Sequence, residues 1–230
     1  MQLPFVEGNE VSVLAALALM LAQPAYPGLP DPAADYIEPG QDFAGYEAWL
    51  ASNPAHASWV MQYKAYLDGE GVGDVVPIWQ LLRTASQWHD CGQPAFEMPP
   101  QVYWPAMAET LRFVKDHVKP GIGEVEAVSV YRNPYLNSCA GGSARSVHRN
   151  NIALDVVPRY PFDRNELMSR LCTIHARYGK RYDAGFGFYV GIRFHVDAWK
   201  YRIWGVTEEE GGRQCGIALQ RREAARIDQF

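Results

Sequence analysis

The chain has no run of lysines and arginines, no Cys-x-x-Cys pair, no internal repeat and no low-complexity tract. Each absence narrows the reading. Phosphate backbones need a basic face, and the formal net charge here is −5, so nucleic acid is not an expected partner. Without Cys-x-x-Cys ligand pairs, a cysteine-held zinc site is not expected either. A membrane-spanning helix takes about 20 apolar residues. The apolar segment Val11 to Ala22 falls short of that, so no stable membrane span is expected. It fits two descriptions equally. Followed by QPAYPG, it has the form of a signal-peptide core and cleavage zone, yet Glu7 and Glu10 stand where a positive segment belongs. An ordinary buried helix accounts for it as well.

What is present points to a compact domain. At 230 residues, 48% hydrophobic and 20% charged, one core is the default. Tyrosine (13), phenylalanine (9) and tryptophan (7) are abundant, enough to fill a core and line a groove for a polar ligand. The four cysteines, Cys91, Cys139, Cys172 and Cys215, suit two disulfides in an oxidising compartment. Four buried thiols are the other reading. Of the three possible pairings, Cys91–Cys139 with Cys172–Cys215 keeps each bridge local and is the expectation.

Three regions follow from the chain's punctuation. Residues 1–42 hold the signal-like segment and a Pro/Gly/Asp-rich linker. Residues 43–104 read as a helical N-terminal region, with Asn53-Pro54 dividing one helix from the next and Pro77–Trp88 read as a further short helix. Residues 105–230 read as the main domain. There a helix over Pro105–Val118 is expected to stop at Pro120-Gly121, and strands are expected over Val125–Tyr131 and Ile152–Val157. Arg164–Tyr178 is the clearest helix, with Asp163 to cap it, Glu166 at the capping-box position and Gly179 at its end. Gly185–Val190 and Arg193–Trp199 read as a hairpin about Gly191, and the tail after Trp204 reads as polar and partly helical. This order predicts an α+β fold: a small, mostly antiparallel sheet with a helical N-terminal portion.

Two histidines stand beside acids in strand-like contexts. His148 precedes Asp155 by seven positions, and Asp155 shares a strand face with Ala153 and Val157. A carboxylate among apolar neighbours is costly to bury unless it is paired or ligates a metal. His195 lies in RFHVDAW, with Arg193 and Asp197 on its own face. Two imidazoles and a carboxylate are a three-ligand zinc set that leaves a position open for water, the pattern of a catalytic site.

At these residues the sequence resembles the zinc D-Ala-D-Ala carboxypeptidases and their LD/DD-peptidase relatives, whose fold is shared by the signalling domain of hedgehog proteins. Ser146 to Asp155 (SVHRNNIALD) is similar to the signature S-x-H-x-x-G-x-A-x-D at all but one point. Ser129-Val130-Tyr131-Arg132 resembles an upstream S-x-Y-R segment, and Asn137 with Gly141-Gly142 an N…GG loop. Gly185-Phe186-Gly187-Phe188-Tyr189, His195-Val196-Asp197 and Arg202-x-Trp204 resemble the family's G-x-G-x-Y, H-x-D and R-x-W. The likeness covers roughly residues 105–205.

The resemblance implies that His148, Asp155 and His195 bind Zn2+ as cofactor, which would polarise a scissile carbonyl and activate water. It implies that Arg132 meets the substrate or stabilises developing negative charge, and that Ser146 orients His148 or touches the substrate. The implied substrate is the peptide stem of peptidoglycan, and the implied location is the periplasm or outside the cell. Two departures stand out. Asn151 replaces the signature glycine, and asparagine is the residue that best tolerates positive φ after glycine. Ile192 and Arg193 stand where many members carry an acid or a histidine as general base. The nearest acid is Asp197, which serves either as the base or as a partner that orients a ligand imidazole. Asp183 is a remote candidate. A zinc-stabilised cell-wall or protein binding domain without catalysis is therefore the alternative reading.

Overall fold

The computed structural model describes residues 31–205 and 215–216. The signal-like segment and most of the tail lie outside the described residues. The first helix, α1 (Phe43–Ser52), is capped by the side chain of Asp42. The second, α2 (Pro54–Gly69), is capped by Asn53, with Pro54 in its first turn, where a missing N–H costs nothing. The N-terminal region then departs from expectation. Pro77–Trp88 does not form a helix. It holds two 3-10 turns, Gln80–Leu82 and Ser86–Trp88, because Arg83 between them is extended and its backbone pairs elsewhere. Its carbonyl accepts from the N–H of Val130 (2.9 Å), and it bridges Phe96. The linker is more than a connection: Ala33 packs with Val128 and Val157, with Tyr36 and Ile37 beside them.

Helix α3 (Trp104–Phe113) continues as a π-helical turn over Val114–Val118 and then as α4 (Lys119–Ile122). Pro120 and Gly121 therefore do not stop it. The π turn widens the helix just before the proline, and the helical run continues through it. Gly123, at φ 82°, ends the run. Helix α5 (Pro134–Cys139) is short, and α6 (Arg164–Tyr178) has the expected bounds. Asp163 accepts from the N–H groups of Asn165 and Glu166. The Glu166 carboxylate pairs with Arg170 rather than closing a capping box. Gly179 stays right-handed and opens a 3-10 turn, which Asp183 ends at φ 48°.

The sheet has five strands: β1 (Val125–Ser129), β2 (Ala153–Pro158), β3 (Ala184–Phe188), β4 (Phe194–Ala198) and β5 (Arg202–Trp204). Their order is β1-β2-β4-β3-β5, antiparallel except for the β3–β5 pair. The α+β expectation therefore holds, with β5 as an unforeseen strand. One face of the sheet is apolar. Phe113 of α3 meets Phe186 at 5.8 Å between ring centroids, and Phe186 meets Phe194 at 6.0 Å. Strand β2 is buried throughout, which explains its near-continuous apolar sequence.

The locally closed disulfide pairing is the one present: Cys91–Cys139 and Cys172–Cys215, with Cα atoms 6.0 and 5.2 Å apart. Loops of this length give about 4 kcal/mol each by chain-entropy reasoning. A buried ion pair ties the N-terminal region to the sheet. Arg83 donates to Glu126 (2.8 Å), to the carbonyl of Ala127 (2.8 Å) and to that of Gln41 (2.7 Å).

Candidate metal centre

His148 lies in a 3-10 turn, Val147–Asn150, whose C-terminal residue Asn151 has φ 51° and ψ 38°. That left-handed residue turns the chain from His148 into β2, so asparagine meets the conformational demand that glycine meets in the signature. Its side chain donates to the hydroxyl of Tyr63 on α2 at 3.2 Å. Strand pairing then sets Asp155 opposite His195 on β4. Two neighbouring strands and one turn thus bring together residues 47 positions apart.

Three atoms converge: His148 Nε2, Asp155 Oδ1 and His195 Nδ1. Their separations are 3.1 Å between the nitrogens and 3.2 Å from each nitrogen to the oxygen. The far side of each ring fixes its protonation. The Nδ1–H of His148 donates to the carbonyl of Val130 (2.6 Å), and the Nε2–H of His195 donates to the Asp197 carboxylate (2.7 Å). With those nitrogens protonated, the two facing nitrogens present lone pairs to each other and to a carboxylate oxygen. Three lone pairs at this spacing repel unless a cation lies between them. A tetrahedral ion with bonds of about 2.1 Å has ligand atoms about 3.4 Å apart, close to the triangle seen here. These residues form a cluster that can hold a metal ion, and all three are buried.

Electrostatics favour a neutral His148 and an ionised Asp155. Burial, and then the guanidinium of Arg132, push His148 down to about 4. Burial alone would raise the Asp155 carboxyl, but His148 and Arg132 outweigh it and hold the group well below its ordinary value. At His195 burial is outweighed by Asp155 and Asp197, and the ring is raised.

Supporting groups hold the side chains of the cluster. Arg132 Nη2 donates to Asp155 Oδ2 at 2.5 Å, and its Nε donates to Ser129 at 2.9 Å. Tyr189 donates to Asp155 Oδ1 at 3.0 Å. Asp197 is fully buried and fully occupied. It accepts from His195, from both terminal nitrogens of Arg202 (2.7 and 3.0 Å) and from the N–H of Trp199 (3.0 Å). Of the two roles open to Asp197, the geometry supports orientation of His195. Its carboxylate lies behind that ring, away from the facing lone pairs. Asp183 is exposed at its left-handed turn and does not line the cavity.

The glycines of G-x-G are explained by β5. In the parallel register Gly185 lies beside Arg202 and Gly187 beside Trp204. A Cβ at Gly185 would enter the Asp197–Arg202 ion pair, and one at Gly187 would enter the Trp204 ring, which lies 5.4 Å from the His195 ring. The two motifs are halves of one packing unit. The N…GG loop is similar in kind. Asn137 donates to the carbonyl of Ser143 (2.9 Å), and Gly142 lies too close to Asn137 for any side chain.

The open side of the cluster faces a cavity of about 750 Å³, within the range of small-ligand sites. It is lined by Arg132, Ser146, Tyr189, Arg193 and Trp204 along with His148, Asp155 and His195. Tyr36, Ser86 and Gln87 line it as well. They come from the linker and the N-terminal region, and no motif marked them. Nor did any signal assign Tyr189 to the carboxylate it holds. Comparison of the chain with family models, with curated proteins and with solved structures returned no match.

Proposed function

We propose that this protein is a zinc-dependent metallopeptidase that hydrolyses peptide bonds in the stems of bacterial peptidoglycan, in the manner of a D-Ala-D-Ala carboxypeptidase. The observation that carries the reading is the convergence of three lone-pair donors on one point, open on one side to a cavity. Two nitrogens and one oxygen suit zinc, and three protein ligands leave a position for substrate or water. Bound there, zinc would act as a Lewis acid and lower the barrier to attack by water.

The chain's own residues do the rest. Arg132 and Tyr189 fix the Asp155 carboxylate, and Asp197 fixes the tautomer of His195, so the lone pairs are aimed before metal arrives. Ser146 and Tyr36 sit where a bound peptide would pass. Two disulfides, and the absence among the described residues of any helix long and apolar enough to cross a membrane, are compatible with a periplasmic or secreted protein.

A second reading, a zinc-stabilised binding domain without catalysis, is favoured by one observation. Asp155 is the sole acid among the described residues lining the cavity, and it is committed to the cluster. Two measurements separate the readings: zinc content by mass spectrometry, and release of D-alanine from a D-Ala-D-Ala-ending peptide by wild type and His195→Ala. Stoichiometric zinc with cleavage that His195→Ala abolishes is the expected outcome. Zinc without wild-type cleavage would select the binding domain, and no zinc would refute both.

A further inference from the structure

The cavity carries a charge imbalance opposite to that of the chain. Arg132, Arg145, Arg193, Lys200 and Arg202 line it against Asp155 alone, in a protein of formal net charge −5. Arg132 is taken up by Asp155 and Arg202 by Asp197. Among the described residues no carboxylate pairs with Arg145, Arg193 or Lys200.

Arg193 is the most constrained of these three. It stands two residues before His195, at the entry to β4. Its guanidinium carbon lies 4.3 Å from the ring centroid of Tyr189 and 5.7 Å from that of Tyr36. Stacking fixes the plane of the group while leaving its terminal N–H groups free to donate. Its Nε is enclosed without a hydrogen-bond partner among the described residues. Tyr189, on which it stacks, is the residue that donates to Asp155. An uncompensated cation is thus held one aromatic ring away from the metal ligands. Two tyrosines position it, and among the described residues no acceptor neutralises it. A partly desolvated guanidinium is best completed by an anion from outside, and a carboxylate matches its donor geometry.

We propose that the cavity selects peptides carrying a free carboxylate close to the bond presented to the cluster, and that Arg193 receives that carboxylate. The proposal rests on the peptide reading of the site. The carboxylate can be the peptide's own C-terminus or an acidic side chain next to the bond.

Calorimetric titration tests this with three probes: N-acetyl-D-Ala-D-Ala, its C-terminal amide, and N-acetyl-D-Glu-D-Ala amide. At least one of the two carboxylate probes should bind wild type about tenfold more tightly than the neutral amide, the scale of one charge-assisted hydrogen bond. The tighter of the two identifies the source of the carboxylate. Arg193→Met should abolish the preference, and Arg193→Lys should retain part of it. Melting curves should show both variants folded. Equal binding of all three probes to wild type would overturn the proposal. So would a preference that survives in folded Arg193→Met, or one lost instead in Lys200→Met or Arg145→Met. Chelator-treated protein should keep the preference. Absence of zinc or of cleavage would therefore refute the metallopeptidase reading and leave this one standing.

Discussion

On β4, Phe194 and Val196 point to one side of the sheet and His195 and Asp197 to the other, and all four are buried. The apolar side is buried because removing it from water is favourable whatever its detailed partners. The polar side is buried at a cost, and each group there is compensated by a named neighbour: Asp197 by Arg202, His195 by Asp197, Asp155 by Arg132 and Tyr189. The difference teaches that burial alone does not separate core from site. The apolar face tolerates a substitution that conserves volume, whereas the polar face depends on specific pairings that fail one at a time.

Substitutions on the two faces should therefore separate stability from metal binding. Asp155→Ala should have the largest effect. Metal binding should vanish, and because Arg132 loses its buried partner, stability should fall by about 3–5 kcal/mol. Elemental analysis and denaturant melts check both. Phe194→Ala should cost a similar about 3–5 kcal/mol through the cavity it leaves, yet the folded fraction should still bind one metal ion per chain. If Phe194→Ala removed metal from folded protein, the division between faces would be wrong. Asp197→Asn, which sets an amide N–H2 against donors of His195 and Arg202, should melt earlier than wild type. In the folded protein it should weaken metal affinity by about 10–100-fold, the usual cost of losing a partner behind a ligand imidazole, measured by competition with a chelating dye.

Acidification gives the mildest contrast. Unfolded His148 takes up a proton near its ordinary value of about 6.5, whereas folded His148 resists protonation down to about 4. Its contribution to the metal-free fold is therefore present above pH 6.5 and lost as pH falls towards 4. The raised value of His195 acts in the opposite sense. Urea melts of chelator-treated wild type and His148→Gln should diverge across that window, with wild type losing more stability on acidification.

Much of this was legible in the chain. Strand alternation gave the shared face of Asp155 and Val157, the caps gave α6, and Asn151 was read as a left-handed residue. The resemblance to the carboxypeptidases singled out the three residues that the structure brings together. Elsewhere local rules were overridden. Pro77–Trp88 forfeits its helix because Arg83 pairs with β1's continuation at Val130, and Pro120 is carried through on a π turn. In both places a partner distant in sequence, or a change of helix type, outweighed propensity.

By itself the sequence determined the local geometry: which residues are donors, which faces they share, and where the chain can turn. Only the tertiary structure decided their roles. It placed Asp197 behind His195, brought Tyr36 and Gln87 to the cavity wall, and matched Gly185 and Gly187 to Arg202 and Trp204 across β5. The physical reason is that a side chain's chemistry is set by what lies within a few ångströms of it. Residues far apart in the chain become such neighbours only when the sheet forms.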